Sequence, residues 1–359
     1  MKFLPLLSIS LCFILISSPL QIFGDDLPTS EDLFGFVEAQ LNLGYRIPGT
    51  EGSERFKNYM KDFVTNTSSW NLSFKNFSYM DVEMSNLLIT KKSIPIPELG
   101  NNSSKFPKLL IGAHFDSRAR ATKDAFSSDL PVPGANDGAS GVAVILGLML
   151  ALDDEDVDVG FVLFDGEDQG YDVDYGLPGW SWIQGSTVFA AALSENQVND
   201  MEMFLLLDMI GDKNLQIKME RNSNSTLNQR IWDLAAKLGY QDTFVDTPGY
   251  SIIDDHIPFL RRGIPSVDLI DFDFPFHHTV NDNLGAVSGE SLFTVFDLTL
   301  NWIWEFLGTD PKVTLPNPTQ DMNVKTGITT AIIVLSIPMM VFFSIWLYFY
   351  RRKVFSKTR

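Results

Sequence analysis

The sequence predicts an α/β fold of three layers, in which helices cover both faces of a central, mostly parallel mixed sheet, followed by one C-terminal transmembrane helix. Short apolar runs alternate with helical patterns along the body of the chain, which is typical of a parallel sheet covered on both faces. The composition, with 45% hydrophobic and 20% charged residues among 359, is that of a globular protein. A long uncharged segment near the C-terminus exceeds the length that crosses a bilayer.

The individual elements follow from these patterns in chain order. Residues 30–65 have a helical pattern that breaks at 46–52, a loop containing Pro and Gly. The apolar run 141–152 is long enough for a helix, with Ser140 as its cap. The remaining predictions are strands at 108–113, 157–164, 203–209 and 264–270, and helices at 226–239 and 290–307. In such a sheet, ligands bind beyond the carboxyl ends of the strands.

The two ends of the chain predict export and membrane anchoring. Residues 1–24 place one Lys before a long apolar run, as in a secretory signal peptide, and an uncleaved anchor is the alternative. Residues 326–350 carry no charge and are followed by a tail, 351–359, with five basic and no acidic residues. This pattern favours a transmembrane helix with a cytoplasmic tail over a buried core helix. We therefore expect a catalytic domain at 25–307 outside the cell membrane, a stalk at 308–325 and a single membrane pass.

Charge and cysteine content narrow the class of function. The formal charge of −18 argues against a nucleic-acid partner. The single cysteine, Cys12, lies in the N-terminal apolar run, which excludes disulfides, thiolate metal sites and thiol nucleophiles from the mature fold. Glycosylation sequons fit an exported protein, although they also arise by chance in Asn- and Ser-rich segments. They lie at Asn66, Asn71, Asn76, Asn102 and Asn224.

Acidic residues and histidines cluster near the ends of the predicted strands. The clusters lie at 113–118, 133–141, 164–170, 207–211, 254–256 and 276–279. Carboxylate and imidazole ligands without thiolates suit a catalytic Zn²⁺ with an open coordination position. A single His beside an Asp is more often a surface pair. Several such clusters at one edge of a sheet instead predict a metal site.

In this order and spacing, the clusters resemble the zinc exopeptidase family that contains bacterial leucyl aminopeptidases and glutaminyl-peptide cyclotransferases. The resemblance covers roughly residues 32–307. It implies that Asp137 of the GANDG motif, Asp168 of GED and His278 of HHT are zinc ligands. It also implies that Glu167, directly before a ligand, is the general acid and base.

The two branches of this family differ in a second group of residues. In the aminopeptidases, the positions of His114 and Asp208 complete a second metal site. In the cyclotransferases, Asp208 belongs instead to a hydrogen-bonded acid network with Asp254. The run 254–263, DDHIPFLRRG, closely resembles the animal cyclotransferases. We therefore expect one Zn²⁺ in a cyclotransferase, with a two-zinc aminopeptidase as the alternative.

The resemblance also indicates where the substrate pocket lies and where this chain departs from the family. An insertion after the acidic pair carries Trp180 and Trp182, which we predict to line the pocket, with core packing as the alternative. His277 is assigned to the same pocket and stands where cyclotransferases often have Trp. Asp268 replaces a histidine of the animal enzymes. These departures spare the predicted metal ligands and affect the pocket.

The predicted reaction converts the N-terminal Gln of peptides or proteins to pyroglutamate and releases ammonia. The aminopeptidase alternative would hydrolyse N-terminal residues with the same ligands. A receptor-like ectodomain that has lost catalysis is disfavoured, because Glu167 and the predicted ligands are all present. The expected partners are peptide or protein N-termini and, through the C-terminal helix, the membrane.

Overall fold

The computed structural model describes residues 27–171 and 176–309. The predicted signal peptide, transmembrane helix and basic tail lie outside the described residues, as does nearly all of the predicted stalk. Within the described ranges, no helix is both long enough and apolar enough to cross a membrane.

A six-stranded mixed sheet forms the centre of the fold. The described residues form eight strands in all, six of which belong to this sheet. They are β1 (Trp70–Tyr79), β2 (Val82–Lys91), β3 (Leu109–His114), β4 (Val159–Phe164), β5 (Met203–Asp208), β6 (Ile217–Met219), β7 (Phe244–Pro248) and β8 (Ser266–Ile270). The order in the sheet is β1-β2-β4-β3-β5-β8, and β6 and β7 form a separate parallel pair. Strands β4, β3, β5 and β8 run parallel, and the β1–β2 hairpin joins them antiparallel at one edge. The mostly parallel sheet of the prediction is confirmed.

Helices cover both faces of this sheet. They are α1 (Ser30–Asn42), α2 (Glu51–Thr65), α3 (Ala139–Ala151), α4 (Gln184–Ala192), α5 (Glu195–Asp200), α6 (Ser225–Leu238), α7 (His256–Arg261) and α8 (Gly289–Leu307). Helices α1, α3 and α8 pack together on one face, and α4 and α7 pack on the other. Successive strand residues point to opposite faces. Accordingly, Leu109 and Ile111 belong to the larger apolar cluster, whereas Leu110 belongs to the smaller one.

The start of α3 differs from the prediction in a way that bears on the site. The helix begins at Ala139 with Gly138 as its N-cap, so the assignment of Ser140 as the cap was wrong. Ser140 Oγ instead donates to the Asn136 carbonyl and accepts from the Ile210 amide, at 2.5 and 3.1 Å. Gly138 has a φ of 96°, and a Cβ there would lie 2.8 Å from the Asp116 carbonyl oxygen. Glycine at this position therefore lets α3 begin directly against the loop after β3.

Candidate metal centre and its cavity

The first pair of site residues lies at the ends of two adjacent parallel strands. His114 ends β3 and Asp208 ends β5, so their side chains meet at the same edge of the sheet. His114 Nε2 lies 3.2 Å from Asp208 Oδ1. Asp137, which directly precedes the N-cap of α3, places its Oδ1 3.0 Å from the same nitrogen.

A second group of side chains lies on the other side of Asp137. His278 Nε2 is 2.9 Å from Asp168 Oδ1 and 3.6 Å from Asp137 Oδ2. All three residues are buried. The three residues predicted as zinc ligands therefore lie together, and Asp137 faces both His278 and His114.

The donor atoms of this region fit a divalent metal ion. Two triads place one possible ligand atom from each member within 4.8 Å of the others. These triads are Asp137, His277 and His278, and His114, Asp137 and Asp208. Asp137 Oδ2 and Asp168 Oδ2 are buried without a hydrogen-bond partner among the described residues. Buried carboxylate oxygens are costly unless a donor or cation compensates them, and carboxylates with imidazole suit Zn²⁺.

Asp116, for which the sequence predicted no role, supports this arrangement. Its carboxylate is buried and accepts the backbone N–H groups of Glu167 and Asp168 at 3.0 and 3.2 Å. It also accepts from the Gln169 side chain at 2.9 Å. Burial alone would raise the pKa of Asp116, but its contacts with His114 and these donors outweigh burial and lower it. Asp116 thus holds the turn that presents Glu167 and Asp168.

Asp282 performs the equivalent task for the loop that carries Asp137. Its Oδ1 accepts the Asn136 amide at 2.7 Å and its Oδ2 accepts the Asp137 amide at 3.1 Å. Asp282 was not predicted from the sequence as a member of the site. Its only signal is a polar Asn-Asp-Asn run at 281–283, which is ordinary loop composition.

Arg118 is a further buried residue of the site, and its role was not predicted from the sequence. Its guanidinium donates to the Asp168 carbonyl at 2.5 Å and to Asp168 Oδ1 at 3.1 Å. The same group lies 4.7 Å from the centre of the Trp182 ring. Arg118 therefore links a predicted ligand to the wall of the cavity.

The predicted acid network lines a cavity of about 590 Å³. Glu167, Asp208 and Asp254 all face it. Burial raises the pKa of Glu167 well above its ordinary value, and the charges of Asp254 and Asp168 add to this effect while His114 opposes it. Burial and the charge of Asp208 raise the pKa of Asp254 to about 7. Clustered buried carboxyls cannot all ionise cheaply, which is the physical cause of these raised pKa values.

Of the three residues predicted to form the substrate pocket, two line the cavity and one does not. Trp182 lines the cavity, and its ring stacks on His278 with centroids 5.8 Å apart and planes at 8°. His277 also lines the cavity. Trp180 is not among the described residues that line it, and packs edge-on against Tyr79 with a centroid separation of 5.4 Å.

His256 is not among the described residues that line this cavity. His256 is buried at the start of α7, with Nε2 3.3 Å from Glu220 Oε2 and Nδ1 3.6 Å from Asp268 Oδ2. Asp254 precedes it in a loop rather than at a strand end. The expectation that site residues follow the carboxyl ends of strands thus accounts for His114 and Asp208 but not for every member of the site.

Comparison with known proteins adds a family and several relatives. The sequence model of peptidase family M28 matches residues 96–303, more than half of the chain. A bovine glutaminyl-peptide cyclotransferase-like protein is 24% identical, over 74% of this chain and 73% of its own length. Aminopeptidase YwaD of Bacillus subtilis is 27% identical, over 58% of this chain and 43% of its own length. The crystal structure of Porphyromonas gingivalis glutaminyl cyclase superposes with a TM-score of 0.67 at 26% identity, covering 78% of this chain and 99% of that one.

Proposed function

This chain belongs to peptidase family M28, a zinc-dependent family, and within that family we propose that it is a glutaminyl-peptide cyclotransferase. Its substrate would be a peptide or protein with N-terminal Gln, and its products pyroglutamate and ammonia. The observation that carries this proposal is the convergence of Glu167, Asp208 and Asp254 on one cavity beside the candidate metal ligands. Relatives named as cyclotransferases give it independent support.

The reaction requires proton transfers that these carboxyl groups can perform. The α-amine of an N-terminal Gln attacks its own γ-carbonyl carbon, a C–N bond forms, and the C–N bond to the amide nitrogen breaks. Glu167 would accept the proton that the attacking amine loses and deliver it to the departing ammonia. Asp208 and Asp254 would hold the adjacent protons, as the raised pKa values of both groups favour. The cavity would hold the substrate folded so that the attack is intramolecular.

Asp137, Asp168 and His278 are the residues that we propose to hold Zn²⁺. When bound there, Zn²⁺ supplies Lewis-acid polarisation of the substrate carbonyl. Trp182, stacked on His278, would keep the imidazole in position and form one wall for the Gln side chain. Arg118 would fix the orientation of Asp168 through its two contacts.

A second function is favoured by one specific observation. His114, Asp137 and Asp208 form another triad with possible ligand atoms within 4.8 Å. His114 also has Asp116 Oδ1 at 3.4 Å from its other ring nitrogen, as metal-bound histidines usually have. A second Zn²⁺ in this triad would make the protein an aminopeptidase that hydrolyses N-terminal residues.

One assay separates the two functions. Purified protein is incubated with a peptide carrying N-terminal Gln and, separately, with the same peptide carrying N-terminal Leu. A cyclotransferase releases ammonia from the first and leaves a blocked peptide of otherwise unchanged length, whereas the second is untouched. An aminopeptidase releases free amino acids and shortens the peptide. Glu167→Gln protein is the control for contaminating activity.

We further propose that the catalytic body is exported and anchored by the segment 326–350, with 351–359 in the cytoplasm. The signal-like segment 1–24, the uncharged run and the basic tail support this arrangement. Protease added to intact cells should digest the body and spare a tag placed after Arg359. A protected body with a digested tag would contradict the proposed orientation.

A further inference from the structure

Lys123 and His277 form a hydrogen-bonded pair on the wall of the cavity. Lys123 Nζ lies 2.9 Å from His277 Nδ1, and both residues line the cavity. A lysine ammonium has only donors, so Nδ1 must be the acceptor. In a neutral imidazole with Nδ1 as acceptor, the ring hydrogen is on Nε2. The pair therefore selects one tautomer of His277.

The ring of His277 is held in place by the surrounding backbone and side chains. His278 has a φ of 58°, in the left-handed region that a residue with a Cβ rarely adopts. This turn brings two consecutive imidazoles to the same cavity, with centroids 3.8 Å apart. Phe272 packs edge-on against His277 with centroids 5.5 Å apart, and the Lys123 amide donates to the His278 carbonyl at 3.2 Å. Such strain persists at sites where the surrounding structure enforces it.

His277 is close enough to Asp137 and His278 to be considered as a metal ligand, but its environment argues against that role. A metal-bound histidine normally donates its other ring N–H to a carboxylate, carbonyl or water. His114 has a carboxylate in the corresponding place, because its Nδ1 lies 3.4 Å from Asp116 Oδ1 while its Nε2 lies 3.0 Å from Asp137 Oδ1. The corresponding atom of His277 faces an ammonium group, which cannot accept a hydrogen bond.

The geometry points to His277 as a catalytic hydrogen-bond donor, with Lys123 as the positioning residue that holds its hydrogen on Nε2. Nε2 lies 3.9 Å from Asp137 Oδ2, too far for a hydrogen bond, so its N–H is available to a bound substrate. The acceptor we assign is the acyl oxygen of the substrate's N-terminal residue, where negative charge develops during the reaction. This inference rests on the proposed function, in which that oxygen belongs to the Gln γ-carboxamide.

Two substitutions of His277 separate a donor from a ligand. Trp offers a ring N–H and no metal-binding lone pair, whereas Phe offers neither. For the donor role, we expect His277→Phe to lower kcat about 10²-fold with little change in KM, and His277→Trp to retain most of the turnover. Both variants should keep the zinc content of the parent. Loss of zinc from both variants, or equal turnover in the two, would overturn the assignment.

Substitutions of Lys123 test the tautomer directly. ¹⁵N-labelled histidine resonances of the zinc-loaded protein should show His277 with its hydrogen on Nε2. Lys123→Met should give a mixture of tautomers and a lower kcat. Lys123→Arg keeps a hydrogen-bond donor and should therefore keep the Nε2 tautomer and the parental kcat. A parent protein with the hydrogen on Nδ1 would refute the inference. The tautomer and zinc measurements need no substrate. A parent protein that releases no ammonia from Gln peptides would therefore count against the proposed function, while the tautomer of His277 would still be decided by the resonances.

Discussion

Replacing Glu167 with Gln is the most direct test of the proposed proton transfer. The substitution keeps the size of the side chain and its polarity but removes its basicity. The backbone N–H of residue 167 should still donate to Asp116 Oδ1, because that contact, 3.0 Å in length, does not involve the substituted group. The turn that presents Asp168 should therefore stay in place.

The size of the effect follows from what the structure leaves intact. General acid–base catalysis by a positioned side chain contributes about 10²–10⁴-fold, which corresponds to roughly 3–5 kcal/mol of transition-state stabilisation. We expect kcat to fall by that factor while zinc remains bound. Stability should not fall, because burial raises the pKa of Glu167 well above its ordinary value. Burial thus places a free-energy cost on the ionised, proton-accepting form of Glu167, and a neutral amide does not carry that cost.

The assay is ammonia release from an N-terminal Gln peptide, measured together with zinc content and thermal unfolding. Glu202→Gln is the matched control, because Glu202 is exposed, pairs with Lys108 at 2.8 Å, and precedes β5 at the end opposite the site. Near-parental turnover in Glu167→Gln would refute the assigned role. Loss of zinc would instead identify Glu167 as a ligand.

Two further predictions concern the residues around the cavity. Trp182→Ala should raise KM severalfold, because it removes a cavity wall that stacks on His278. Trp180→Ala removes a contact with Tyr79 and should leave KM unchanged. Equal effects of the two substitutions on KM in steady-state kinetics would contradict this prediction. Asp116→Asn should weaken zinc binding about 10–100-fold and lower the melting temperature, because an amide cannot accept from all three of the groups that the carboxylate holds. Competition with a chelator measures the first effect, and unchanged affinity would show that the turn holds without Asp116.

The sequence predicted the parallel part of the fold because its strands are continuous apolar runs buried on both faces. The resemblance to the zinc exopeptidase family is confirmed by the match to peptidase family M28. The β1–β2 hairpin was not predicted. In β1 the apolar alternation at Trp70, Leu72 and Phe74 shifts phase before Phe77 and Tyr79, and most of the strand is only partly buried. Edge strands of this kind have a weak periodic signal.

Members of the site could be predicted where the residue type itself suits metal binding or proton transfer. They could not be predicted where the role depends only on the position of the residue in the fold. Histidines and acids clustered near the ends of apolar runs predicted a metal site, and the resemblance to the zinc exopeptidase family indicated its candidate ligands. Asp116 and Asp282, by contrast, bind backbone amides, a role with no distinctive sequence pattern. Trp180 and Trp182 are two residues apart in an irregular loop. Without a helical or strand period, the sequence does not indicate that only Trp182 faces the cavity.

The metal count should be decided by a residue that belongs to one triad alone. Asp137 faces both His114 and His278, so its substitution would damage either type of site and distinguish nothing. His114 contributes only to the triad with Asp208. In a cyclotransferase, the parent and His114→Gln should both retain one zinc after dialysis, because Asp137, Asp168 and His278 are unchanged. In an aminopeptidase, the parent should retain two and the variant one. Elemental analysis separates these outcomes without any substrate, and two zinc ions in the parent would move the protein to the aminopeptidase branch.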